Sequence, residues 1–211
     1  MTLDFGRPLR SASTPIPDLL VIDLPVYGDA RGWFKENWQR EKMVAAGIDL
    51  PDFGPVQNNI SFNDAVGTTR GIHAEPWDKY VSVATGRVFG AWVDLREGET
   101  FGVSYSTEID PGTAVFVPRG VGNSYQTLEP DTAYTYLVND HWSPEASYTF
   151  LNLADETDAM KERYGKNAAG IHYSMVHWVK AQLTSWLSAS GHIHESEMLQ
   201  QMEMPTEGKA K

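Results

Sequence analysis

Between residues 19 and 138 apolar and polar positions alternate in short runs, and each run is broken by Gly, Pro, Asn or Asp, which is strand patterning rather than helix patterning. Leu19-Leu20-Val21-Ile22 is an apolar run ended by Pro25, and residues 56–62 and 68–74 read as further strands. The clearest stretch is 81–96. Val81 and Val83 alternate with Ser82 and Ala84, and Thr85-Gly86 then offers a tight turn. Beyond it Val88, Gly90, Trp92 and Asp94 share one face, while Phe89, Ala91, Val93 and Leu95 share the other. Both faces are largely apolar, which predicts a strand covered on both sides. Strands follow at 103–109, 114–117 and 124–128, and a last one sets Tyr134 and Tyr136 on a shared face at period two. Asp110-Pro111-Gly112 predicts a turn, because Pro presets φ and Gly accepts positive φ. One short helix is predicted over 37–46, with Asn37 as its cap and Gly47 just beyond its end.

Many short strands with little helix between them predict a mainly β chain folded as a sandwich or barrel. The character changes after Asn152. Residues 155–164 are charged and helix-compatible, and Ile171, Met175, Trp178, Val179, Leu183, Trp186 and Leu187 recur near helical spacing. The expected organisation is a β domain over 1–152 and a helical C-terminal appendage over 153–211, with 203–211 as a frayed tail.

Composition narrows the function classes. A length of 211 residues suits one domain with an appendage. A formal net charge of -11 argues against general nucleic-acid binding, yet it leaves room for a local Arg and Lys cluster that holds an anionic small molecule. With no cysteine, disulfide scaffolds and Cys-ligated metals are excluded. No apolar run is long enough to span a bilayer, and the first ten residues lack the apolar stretch of a secretory signal. The expectation is a cytoplasmic protein without a membrane partner.

Several short motifs occur in one order. Asp29-Ala30-Arg31-Gly32-Trp33-Phe34-Lys35-Glu36 fits D-x-R-G-x-F-x-E, Gln57-Asn58-Asn59-Ile60-Ser61 fits Q-x-N-x-S, and Arg70-Gly71-Ile72-His73 fits R-G-[LI]-H. Lys79-Tyr80-Val81, Gly86-Arg87-Val88, Val93-Asp94-Leu95-Arg96, Thr100-Phe101-Gly102, Val117-Pro118-Arg119-Gly120, Tyr136 and Trp142-Ser143-Pro144-Glu145 follow. No piece is specific alone, but the ordered set resembles the dTDP-4-dehydrorhamnose 3,5-epimerase family. That resemblance implies a homodimeric cupin-type jelly roll that epimerises a dTDP-4-keto-6-deoxy sugar at C3, C5 or both, as in dTDP-L-rhamnose biosynthesis. It implies no cofactor and no metal, because the substrate already carries the ketone that acidifies the neighbouring C–H.

Such a reaction needs a base, a donor for the enolate oxygen and an acid on the opposite face. His73 is the base candidate, since imidazole titrates near physiological pH. Lys79 would stabilise the enolate oxygen and Tyr136 would return the proton. Each has a plainer role as well: a strand-satisfied His, a solvated Lys, a Tyr packed on Tyr134. By the resemblance Arg31, Glu36, Gln57, Asn59 and Arg70 hold the nucleotide and diphosphate, and Trp142 stacks on the ligand. Asn123 stands where the family has a second His and cannot carry its charge, and Ser147 stands where the family has a ligand-binding Glu. Nothing in 153–211 matches the late segment whose Asp partners the catalytic His. A non-catalytic sugar-nucleotide binder and a related ketoisomerase therefore remain alternatives, and His192-Ile193-His194-Glu195 offers a weak metal-site reading out of structural context.

Overall fold

The computed structural model describes residues 9–48, 50 and 53–151. The early strands are β1 (Arg10–Ser13), β2 (Leu20–Asp23), β3 (Tyr27–Asp29) and β4 (Gly32–Phe34). After the short helix α1 (Arg40–Ala45) come β5 (Gln57–Asn63), β6 (Thr69–Ala74), β7 (Lys79–Thr85), β8 (Val88–Asp94) and β9 (Ser104–Ile109). The set closes with β10 (Thr113–Val117), β11 (Val121–Thr127), β12 (Thr132–Val138) and β13 (Thr149–Leu151). The mainly β expectation holds, and the appendage over 153–211, with its HIHE run, lies outside the described residues.

Two antiparallel sheets carry the molecule, one ordered β1-β2-β10-β7-β12-β5 and the other β13-β6-β11-β8-β9, with β3 and β4 forming a separate hairpin. From β5 to β8 and from β9 to β13, each successive strand passes to the opposite sheet. The core therefore forms between the sheets. Val81, Val83, Val115 and Val117 from one sheet meet Val88, Trp92, Val121 and Tyr125 from the other, all buried. This two-sheet sandwich is consistent with a jelly roll.

The outer face of the six-stranded sheet is covered too. Tyr80, Ala114 and Phe116 point away from the inter-sheet core and pack under Met43, Ile48, Leu50 and Phe53. This layer explains why 81–96 and its neighbours are apolar on both faces. It also fixes the helix start. Asn37 accepts a hydrogen bond from Ser82 Oγ at 2.8 Å, so it is committed to a tertiary contact, and Gln39 caps α1 by accepting from Lys42 N. Gly47 ends the helix at φ 73°, where only glycine is unstrained.

The turns follow the sequence with one change of mechanism. Gly86 takes φ 77° between β7 and β8, and a Cβ there would lie 2.1 Å from Thr132 Oγ1. At residues 110–113 the Asp110 carboxylate closes the turn instead, accepting from Gly112 N at 2.9 Å and Thr113 Oγ1 at 3.0 Å. Gly112 has no positive φ there.

Candidate functional site

A pocket of about 190 Å³ opens between the two sheets, lined by Ser61, Arg70, His73, Lys79, Asn123, Tyr125, Tyr134 and Tyr136. The lining comes from both sheets: Arg70 and His73 from β6, Asn123 and Tyr125 from β11, Lys79 from β7, Tyr134 and Tyr136 from β12. Five of the residues singled out in the sequence thus meet at one place although they span 66 positions of chain (136 less 70). Strand register does this. Asn123 pairs with His73 across β11 and β6, and Val138 pairs with Lys79 across β12 and β7, which leaves Tyr136 one same-face step away.

His73 has a defined tautomer. Its Nδ1 lies 3.0 Å from the Gly71 carbonyl oxygen, which can only accept, so Nδ1 carries the proton and Nε2 is the unprotonated nitrogen. That Nε2 lies 3.4 Å from Lys79 Nζ and 3.6 Å from Glu75 Oε1. Burial, then the Lys79 charge and more weakly Arg70, hold the imidazole down at about 4, against the lesser opposing effect of the Gly71 hydrogen bond. It is neutral at physiological pH, as a base must be. Burial likewise pulls Lys79 down to about 7. Its ammonium sits 5.6 Å from the Tyr136 ring centroid.

Tyr136 lies beside Lys79 on the same sheet and faces His73 across the pocket. Burial, with smaller effects from Tyr125 and Tyr148, raises its phenol above the usual range, so it stays protonated and able to donate. A polar lattice supports the pocket wall. Arg70 and Tyr125 both donate to Ser61 Oγ, at 3.2 and 3.0 Å, and the Tyr134 hydroxyl donates to Asn123 Oδ1 at 3.3 Å. Tyr125 stacks on Tyr134 at 4.1 Å between centroids.

The other expected residues lie outside this pocket, in two groups. Gln57 and Asn59 share the face of β5 that ends at Ser61, and they bond to each other at 2.8 Å. Trp142 donates its main-chain N–H to Gln57 Oε1 at 3.2 Å and is 60% exposed. A polar track therefore runs from Ser61 along β5 to an open indole. Arg31 and Glu36 are elsewhere. Arg31 caps the β3–β4 turn by donating to Asp29, with its main-chain N–H at 2.8 Å, and Glu36 pairs with Lys42 of α1. Ser147 is exposed. Sequence reading missed Glu75, Ser61, Tyr125 and Tyr134. The signal for Glu75 was present, since residues two apart on a strand share a face and Glu75 is two beyond His73.

A larger cavity of about 820 Å³ lies away from His73, between the β1–β2 link and the ends of β8 and β10. Its guanidinium groups are committed: Arg96 to Asp94 at 2.8 Å and Arg119 to Asp78 at 2.8 Å.

The His73 environment has a measurable consequence. An unfolded chain takes up the proton at 6.5, whereas the folded one waits until about 4, so acid favours unfolding across that window. Stability present above 6.5 is lost as the pH falls towards 4. The gap is worth roughly 3 kcal/mol, discounted to about 2 for the solvent that still reaches the ring. Urea unfolding of His73→Gln should therefore show a flatter pH slope than wild type between pH 6.5 and 4. Parallel slopes would mean that the imidazole is not held neutral by the fold.

Comparison with known proteins gives the family. A Streptococcus pyogenes serotype M6 protein named as a RmlC homolog is 54% identical over 157 residues, covering 72% of this chain and 79% of its own. The structure of RmlC from Streptococcus suis in complex with dTDP-D-xylose is 53% identical with a TM-score of 0.66, covering 72% of this chain and 80% of that one. RmlC from Legionella pneumophila in complex with dTDP-4-keto-L-rhamnose is 28% identical with a TM-score of 0.61, covering 70% and 79%. The family model described as dTDP-4-dehydrorhamnose 3,5-epimerase matches residues 13–182. That match spans well over half of the chain, which therefore belongs to the dTDP-4-dehydrorhamnose 3,5-epimerase family.

Proposed function

We propose that the protein is an epimerase of a dTDP-4-keto-6-deoxy sugar, working at C3, C5 or both without a cofactor. The observation that carries this reading is a neutral His73 on one sheet, with Lys79 beside its Nε2 and the Tyr136 phenol both reaching the same pocket from the sheet opposite. His73 removes the proton next to the C4 ketone. Lys79 holds the enolate oxygen, a kind of contact whose loss typically costs about 10²–10³ in rate. Tyr136 returns a proton to the other face. The ligands of the streptococcal and Legionella relatives, both dTDP-sugars, support the substrate class.

Arg70, Asn123, Gln57, Asn59 and Trp142 line the pocket and the track leading from it, a fitting path for the diphosphate and base of such a ligand. Arg31 and Glu36 fit the same role across a subunit boundary. The β3–β4 hairpin that carries Arg31 exposes Tyr27, Trp33 and Phe34, and the outer face of the edge strand β5 exposes Ile60 and Phe62. Apolar surface of this kind favours burial against a second copy, so the chain works as a homodimer. Sedimentation of the purified protein as a monomer would contradict that assignment. We assign 1–152 to the catalytic cupin-type β domain and 153–211 to a helical appendage, on the spacing of Ile171 to Leu187. Among the described residues no helix is long and apolar enough to cross a membrane, in keeping with a cytoplasmic enzyme.

Incubation with dTDP-4-keto-6-deoxyglucose in deuterium oxide tests the function. Deuterium should enter carbon next to the ketone with inversion. Saturable dTDP binding without exchange would identify a non-catalytic binder instead. Exchange with a relocated carbonyl would identify a ketoisomerase.

A further inference from the structure

We propose that Glu75 is the positioning residue of the site, a buried carboxylate that orients Lys79 and offsets the positive charge that Lys79 and His73 share during proton transfer. The inference rests on the function proposed above and adds to it a residue with no assigned part. His73 and Glu75 leave the end of β6 on the same side, and Pro76-Trp77-Asp78 then carries the chain across to the other sheet, where Lys79 opens β7. Glu75 is pinned at this crossing by its own carbonyl, which accepts from Gly120 N at 3.1 Å.

Two donors hold the carboxylate, and its other oxygen faces the histidine. Its Oε2 contacts Lys79 Nζ and accepts the Trp77 indole N–H at 2.9 Å, while its Oε1 lies 3.6 Å from His73 Nε2. Side-chain exposure is 7% for Glu75 and 4% for Lys79, so neither charge has water as an alternative partner. Trp77 is itself fixed, edge-on to Tyr148 at 5.7 Å.

Charge decides what this arrangement does. Once His73 takes a proton, an imidazolium stands 3.4 Å from Lys79 Nζ, with the Arg70 guanidinium on the same strand. The other titratable groups facing the pair are phenols, Tyr125, Tyr134, Tyr136 and Tyr148, which supply no charge while protonated. Glu75 is the carboxylate that the described residues bring within ion-pair distance of both cations. It therefore supports the ammonium at the enolate oxygen and the imidazolium at once. Burial works against the Lys79 ammonium, and the Glu75 contact works for it.

Glu75→Gln removes the charge and keeps the shape, including an oxygen to accept from Trp77. In this variant, the 13C signal of the Lys79 side chain should titrate at least about one pH unit lower than in wild type. The maximal rate of deuterium exchange should fall about 10²-fold with KM within about threefold, and the alkaline limb of its pH profile should move to lower pH. Glu75→Asp, which keeps the charge, should restore that limb. A structural strut would lower the amount of folded enzyme and leave the limb and the Lys79 titration in place, and that result would overturn the proposal. Wild type alone also decides it, should the Gln variant not fold: Lys79 titrating well below about 7, as an ammonium buried without a counter-charge would, would overturn the role as well. Absence of exchange in wild type would overturn the epimerase reading, while the Lys79 titration would still report whether Glu75 governs the pair.

Discussion

His73→Ala is expected to abolish the uptake of solvent deuterium into a dTDP-4-keto-6-deoxy sugar, with a loss in rate of about 10³–10⁴. The size follows from the position of the ring. Its Nε2 is unprotonated because Nδ1 is committed to the Gly71 carbonyl, and the ring is kept neutral by burial and by the Lys79 charge. Lys79 is the group needed at the enolate oxygen, and burial keeps the phenols of Tyr134 and Tyr136 protonated. Removal of the imidazole also opens space beside Asn123, its neighbour across β11 and β6. Added imidazole should enter that space and restore part of the exchange, whereas the binding of dTDP should stay within about threefold of wild type. The measurement is NMR of the labelled sugar during turnover. Exchange within tenfold of wild type would remove His73 from the role of base, whatever the fate of the fold.

Much of this site was legible in the sequence, and the limits of that reading have physical causes. β7, β8 and β12 were legible because those strands are packed on both faces, so their residues are apolar or β-prone over nearly the whole length between turn signals. It did not find β3 or β4, whose three residues each are exposed and carry no amphipathic signal. Asn37 looked like a helix cap since its type suits one, but the cap is decided by which group is free, and Ser82 had already claimed it. The partner of His73 posed the sharpest case. An Asp was sought late in the chain, as the family resemblance suggested, in a stretch that lies outside the described residues. Among the described residues the carboxylate beside the ring is Glu75, two positions from the histidine, where the strand alternation of β6 puts it on the same side. Arg31 and Glu36 could not be located from motif order, since order along the chain does not say which side of the sandwich a hairpin leaves from.

Tyr136→Phe is expected to separate the two halves of the reaction. The substitution keeps the ring that stands 5.6 Å from Lys79 Nζ and 6.2 Å from Tyr134, so packing and the cation–π contact survive and the hydroxyl alone is lost. If His73 takes the proton from one face and Tyr136 supplies one to the other, loss of the hydroxyl leaves the first step intact. Deuterium should then still enter from the His73 side, within about tenfold of the wild-type rate. Inverted product should fall by about 10³, because the enolate has no acid on its second face. The fall should not be reversed by a change of pH, since burial holds the wild-type phenol protonated throughout the working range and no ionisation is being compensated. NMR distinguishes labelled substrate of unchanged configuration from labelled epimer in the same sample. Equal losses of exchange and inversion would instead assign Tyr136 to holding the substrate against His73, and the proton for the second face would have to come from water admitted along the Ser61 side of the pocket.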